Sequence, residues 1–182
     1  MGDEVIDLKD EKKQELMDIL DCNGNPTGEV HVRGSGSAHH GYVGAVTVCV
    51  INSQGQMLIQ QRVNDKGWGG LWDVTCGGAM THGETPQMSA MREVKEEMGL
   101  DIDLTGVRPS LITTFSNGFS FCFVVNRDVE MEEVVLQKEE VQDARFASKE
   151  EILELLKEEK FVPYRPSWVE YVFDFARQEF VF

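Results

Sequence analysis

Residues 78 to 100 read Gly78-Ala79-Met80-Thr81-His82-Gly83-Glu84, then Thr85-Pro86-Gln87-Met88-Ser89-Ala90-Met91, then Arg92-Glu93-Val94-Lys95-Glu96-Glu97-Met98-Gly99-Leu100. Thr85 followed by Pro86 predicts an N-cap with proline at the first helical position, and Gly99 stands where that helix would stop. Met91, Val94 and Met98 recur at helical spacing and define one apolar stripe. At about 100° per residue, Glu93, Glu96 and Glu97 fall on the opposite side. Glu93 and Glu97 are four apart, so their carboxylates are neighbours. At roughly 5–6 Å and an effective dielectric near 20, two such charges repel by about 3 kcal/mol, a repulsion that a divalent cation relieves. Oxygen-only ligands favour Mg²⁺ or Mn²⁺, and Mg²⁺ shares its shell with substrate phosphates and water. The competing reading is a solvated acidic face, with Arg92 and Glu96 in a surface ion pair worth under about 1 kcal/mol.

The spacing Gly-x5-Glu-x7-Arg-Glu-Val-x-Glu-Glu-x-Gly-Leu resembles the complete signature of the Nudix diphosphate hydrolases. The resemblance implies a loop–helix–loop that holds divalent metal against a substrate diphosphate, in an α/β/α sandwich with a mixed sheet. It implies that Glu93, Glu96 and Glu97 are metal-binding carboxylates, that Glu84 supports the site and sometimes adds a ligand, and that Arg92 orients the cluster.

The composition is compatible with this chemistry. A chain of 182 residues with 41% hydrophobic content suits one domain: residues 1–13 as an N-terminal extension and residues 14–182 as the folded unit. No segment approaches the ~20 apolar residues of a membrane span. The start Met1-Gly2-Asp3-Glu4 is acidic and begins no secretory signal, and Ile6 breaks the myristoylation pattern. Cys22, Cys49, Cys76 and Cys122 lack zinc-type spacing and read as reduced thiols, which makes the cytoplasm the expected location. The net charge of −15 argues against nucleic-acid polymers, which demand a basic footprint. A small anionic diphosphate remains compatible, because a metal inverts the local potential.

Along the chain, Glu15–Asp21 and Glu29–Arg33 flank a turn at Asn23–Gly28 and are expected to pair. Gly44–Ile51 and Met57–Arg62 around Ser53-Gln54-Gly55-Gln56 give a strong hairpin signal. Trp72–Cys76 leads into the glycine loop. Strands are expected at Arg108–Phe115, Phe119–Asn126 and Asp143–Phe146. Ser148 begins a helix with Ile152, Leu155 and Leu156 on its buried stripe, and Trp168–Phe180 reads as an aromatic-rich terminal helix, a surface that could support a homodimer. A mixed sheet between helices is the expected α/β fold.

Residues outside the signature narrow the branch. Gly28-Glu29-Val30-His31, Arg33, His39-His40-Gly41-Tyr42, Gln60-Gln61-Arg62, Lys66 and Gly70-Leu71-Trp72-Asp73 resemble the isopentenyl diphosphate isomerase-like Nudix proteins. Authentic isomerases carry Cys-Gly-His where this chain has Cys76-Gly77-Gly78, with the cysteine as acid/base group and the histidine as metal ligand. The loop histidine is absent and the full hydrolase set is present, so the resemblance implies Mg²⁺-dependent hydrolysis of a nucleoside diphosphate derivative or related small diphosphate. Isomerisation through Cys76 and a non-catalytic ligand-binding module are the alternatives.

The proton acceptor is a signature glutamate such as Glu97, or Glu139 or Glu140 in the later loop. Arg62 is a candidate phosphate contact through its guanidinium, and Gly78, Trp68 and His40 complete the expected substrate-binding set. Each has a plainer reading: an unliganded strand-end arginine, aromatic packing, or solvated loop histidines, as for His31 and His39. Cys76 likewise reads as a small buried residue, and His82 could face the substrate.

Overall fold

The computed structural model describes residues 15–36 and 40–177. The first thirteen residues, expected as an extension, lie outside the described residues. Strands β1 (Leu16–Leu20) and β2 (Pro26–Val32) pair antiparallel as a separate ribbon. Its turn is set by Asp21, whose side chain accepts the backbone N–H groups of Asn23 and Asn25 at 2.8 and 2.9 Å. β2 therefore begins at Pro26, earlier than the Glu29 expected.

The central sheet comprises β3 (Val43–Ile51), β4 (Gln56–Arg62), β5 (Trp72–Asp73), β6 (Cys76–Ala79), β7 (Leu111–Phe115), β8 (Gly118–Asn126) and β9 (Val141–Ser148). β3 and β8 run parallel, and the other pairs are antiparallel, so the sheet is mixed as expected. β7 starts at Leu111 and not Arg108; Pro109, with no N–H to give a ladder, precedes it. β9 is longer than the four residues expected.

The expected β3–β4 hairpin forms only at its corner. Ile51 pairs with Met57, and beyond that point the strands part. β6 takes the place beside β3 from Ala45 to Val48, while β4 pairs with β9 and β5. Buried Thr75 ties the split together: its hydroxyl accepts the Val50 N–H at 2.8 Å and donates to the Leu58 carbonyl at 2.5 Å.

Both faces of the sheet are covered, which explains the near-continuous apolar runs. Val46, Val48, Val50, Leu58 and Phe123 pack on one side with Ala90, Val94 and Met98 of helix α1 (Pro86–Met98). Alternate residues, including Cys49, Ile51, Met57 and Ile59, pack on the other side. There they meet Ile152 of α2 (Lys149–Lys157) and Val169, Val172 and Phe173 of α3 (Pro166–Arg177). The result is the α/β/α sandwich. Ser148 and Glu151 form the reciprocal cap of α2, as expected. α3 starts at Pro166, and residues 178–180 of the expected terminal helix lie outside the described residues. No described helix is long and apolar enough to cross a membrane.

Candidate functional site

The caps of α1 are those the sequence predicts. Thr85 Oγ1 accepts the Met88 N–H at 3.2 Å, Pro86 opens the helix, and Gly99 closes it at φ 71. The glutamates lie opposite the apolar stripe of Val94 and Met98, but they are not a uniformly solvated face. Glu93 and Glu97 are buried and only Glu96 is exposed. A helical wheel places the carboxylates away from the apolar stripe but cannot say whether that side is covered. Here it is covered, by β6 and the end of β4. A Cβ on Gly78 would sit 2.1 Å from Glu93 Oε1, so the glycine makes room for the carboxylate.

Arg92 organises the cluster with all five of its N–H donors. Nε and Nη2 grip Glu84 at 2.7 and 3.0 Å, Nη1 donates to Glu93 and Glu96 at 2.8 and 3.1 Å, and Nη2 also reaches the Ala79 carbonyl at 3.1 Å. Glu84 further accepts from Ser89 Oγ at 2.6 Å and the Thr81 N–H at 3.0 Å. Burial pushes its pKa up, but Arg92, Ser89 and Thr81 outweigh this and hold it at about 2. Both Glu84 oxygens are thus engaged in bracing Arg92. Glu97 has a different environment: burial, together with the charges of Glu93 and Asp73, outweighs a hydrogen bond from Gln60 and pushes its pKa to about 8. Burial likewise raises that of Glu93, against the pull of Arg92.

Glu93, Glu96, Glu97 and Glu140 line one polar cavity of about 240 Å³, with Arg33 and Arg62 also on its wall. Glu140 arrives there because its loop fastens to the end of α1. The Gln137 N–H donates to the Glu97 carbonyl at 3.1 Å and the Val135 N–H to that of Met98 at 2.9 Å. The Glu140 carboxylate is paired with Lys66 at 2.5 Å. Arg62 is held by buried Asp73 at 3.2 Å and by the Gly67 carbonyl at 2.6 Å.

Other expected residues are not brought together with these. Trp68 does not line the carboxylate cavity. It sits at φ 60 in the glycine-rich turn after β4 and lines, with Leu71, a separate apolar groove against α2 and the α2–α3 loop. His40 is exposed and lines no part of the cavity, and His39 lies outside the described residues. His82 bonds Asp18 at 2.7 Å, docking the β1–β2 ribbon onto the glycine loop, and His31 lies within β2 opposite Met17. Glu139 is exposed and outside the cavity. Cys76 is fully buried; burial and the charges of Glu97, Glu93 and Asp73 push its thiol pKa well up.

Sequence reasoning did not single out Arg33, Gln137 or Gln60 as site residues. Gln60 alone carried a local signal: a polar residue at the parity of buried Leu58 in an apolar strand.

The donor chemistry fits a hard divalent cation: carboxylate oxygens, two of them buried with raised proton affinity, beside a glycine that leaves the space open. Among the described residues no three acidic, histidine or cysteine side chains converge on one point as they lie, and Arg92 is bonded to both Glu93 and Glu96.

The fold has known counterparts. The crystal structure of DR0079 from Deinococcus radiodurans superposes with a TM-score of 0.69 at 20% identity, covering 90% of this chain and all of that one. By sequence, the chain is 42% identical to an uncharacterised Nudix hydrolase of Listeria monocytogenes over 151 residues, 82% of this chain and 89% of that protein. It is 41% identical to an isopentenyl-diphosphate Delta-isomerase of Pectobacterium atrosepticum over 93 residues, about half of each chain (48% and 49%). The NUDIX domain model matches residues 41–172, a span that contains α1 with its glutamates, Arg92, Arg62 and Glu140. With the signature helix, the fold and most of the chain's length in agreement, this protein belongs to the Nudix hydrolases, enzymes that generally use divalent metal ions to cleave diphosphate linkages in small molecules.

Proposed function

We propose that this enzyme hydrolyses a diphosphate linkage in a nucleoside diphosphate derivative or a related small diphosphate, with Mg²⁺ or Mn²⁺ held by Glu93, Glu96 and Glu97. The observation that carries the reading is the shared cavity, where these carboxylates face Arg33 and Arg62. A bound divalent cation supplies Lewis acidity toward the diphosphate oxygens. The protein does the rest. Arg62, steadied by Asp73, and Arg33 orient anionic oxygens. Arg92, braced by Glu84, fixes the glutamate side chains. Glu140 receives the proton of the attacking water. The direct test is phosphate or nucleotide release from a panel of nucleoside diphosphate derivatives with Mg²⁺. Turnover of none of them, or full turnover in excess chelator, would sink the reading.

The role of Glu140 is separable from metal binding. Glu140→Gln is expected to lower kcat by about 10²-fold or more, while metal affinity stays within about twofold of wild type. A silent substitution would move the base into the signature helix. Equal losses in both quantities would make Glu140 a ligand.

Two observations weigh against isomerisation. The site has no room for a histidine at position 78 while Glu93 holds its place, since even a Cβ would overlap the carboxylate. The Cys76 thiol, pushed up by burial and three acidic neighbours, is a poor proton donor to an alkene. Cys76→Ala is therefore expected to retain hydrolysis and to cost roughly 1 kcal/mol of packing. A folded, metal-binding but inactive Cys76→Ala, or efficient isomerisation of isopentenyl diphosphate by wild type, would overturn the hydrolase assignment.

A further inference from the structure

Within β4, Met57 and Ile59 point toward α2 and α3 whereas Leu58 points toward α1. Gln60 shares the parity of Leu58 and is 1% exposed, opposite Ala144 of β9 and Asp73 of β5. An amide at such a position is costly unless it is bonded, and an apolar chain of the same length would serve the core better. The amide's Nε2 donates to Glu97 Oε2 at 2.7 Å. The partner is a carboxylate of the site and not another core group.

The kind of donor matters as much as its place. Glu93 and Glu96 share the Arg92 cation, which offsets part of their charge. Glu97 receives a neutral N–H from a strand beneath the helix. A neutral donor fixes the rotation of the carboxyl group without tying it into an ion pair of the kind that Arg92 makes with Glu93 and Glu96.

We infer that Gln60 is a positioning residue for metal binding: from β4 it pins one oxygen of Glu97 so that the carboxyl group is presented to the cavity in a fixed orientation. The inference rests on the reading of Glu93, Glu96 and Glu97 as cation ligands.

The experiment is titration of the full chain with Mn²⁺, following free Mn²⁺ by its electron paramagnetic resonance signal, with no substrate present. Gln60→Met removes the donor and keeps the length; Gln60→Asn keeps the amide but withdraws its reach. Both should weaken Mn²⁺ binding by about 10-fold or more; Gln60→Met should melt close to wild type in chelator, whereas Gln60→Asn, with its amide left unbonded, should melt lower but remain folded. In a Glu97→Gln background, Gln60→Met should produce no further loss, because the group it positions is no longer a carboxylate. Wild-type affinity in both single variants, or the same fold-loss in the Glu97→Gln background, would overturn the inference alone. A Gln60→Met protein that fails to fold leaves the decision to Gln60→Asn by the same criterion. A wild-type protein that binds no Mn²⁺ would overturn the ligand assignment itself and this inference with it.

Discussion

Glu97→Gln is expected to reduce kcat/KM by about 10²–10⁴-fold while making the metal-free protein more stable near pH 8. The two effects have one origin. Glu97 is 7% exposed and lies beside Glu93 on the next turn of α1, with the charge of Asp73 also acting on it. Its pKa of about 8 in the fold compares with 4.5 for a free side chain. Between those values the folded state keeps a proton that the unfolded state has released. Stability contributed by that proton is present below pH 4.5 and is lost as pH rises toward 8. The loss should be on the order of 2–4 kcal/mol, and the isosteric neutral amide should abolish most of it. Thermal melts of wild type and variant in chelator, from pH 5 to pH 8.5, should start together and diverge upward for the variant. Added Mg²⁺ should reverse the order, stabilising wild type and not the variant. Parallel melting curves across that range would show that the carboxylate is not held in the fold as its burial requires. Wild-type-like turnover would rule it out as a ligand of the proposed cation.

Much of this arrangement is local and therefore legible in the chain. Thr85, Pro86 and Gly99 act within a turn of where they stand, so both ends of α1 follow from sequence. The alternation of Val46, Val48 and Val50 against Cys49 and Ile51 is hidden in a uniformly apolar run, but length and flanking turns still identify the strand. What escaped depends on contacts between distant segments. The β3–β4 turn reads as an ordinary hairpin, and nothing near it reveals that β6 and Thr75 will wedge the strands apart. Pairing of β6 with β3 brings Gly78 against α1 beside Glu93, so the acidic helix face becomes the wall of a cavity and not a solvated surface. The same holds for Glu140, delivered by a loop whose N–H groups bond the last carbonyls of the helix. Trp68 lies near the site in sequence, yet a glycine-rich bend turns it into a different groove.

Replacing Arg92 should have the largest effect on stability. Its five hydrogen bonds tie Glu84, Glu93, Glu96 and the Ala79 carbonyl to one planar group, and its side chain is 26% exposed. Lysine offers three donors from a single point and cannot grip Glu84 with two parallel bonds. Arg92→Lys is therefore expected to cost about 1–3 kcal/mol, and Arg92→Met about 3–5 kcal/mol, since the latter leaves partly buried carboxylates without a counter-charge. Activity should fall in both, because Glu93 and Glu96 lose the group that orients them. The pH dependence separates this account from general damage to the fold. Glu84 is held at about 2, below the 4.5 of a free glutamate, so its contribution is fully present above pH 4.5 and is lost as pH falls toward 2. The stability gap between wild type and Arg92→Met should accordingly narrow on going from pH 7 to pH 3, as the carboxylates that need the guanidinium take up protons. A gap that stays constant with pH would mean that Arg92 acts by filling space. A gap that narrows would identify the charge-assisted bracket of Arg92 and Glu84 as what holds α1 in register with the sheet.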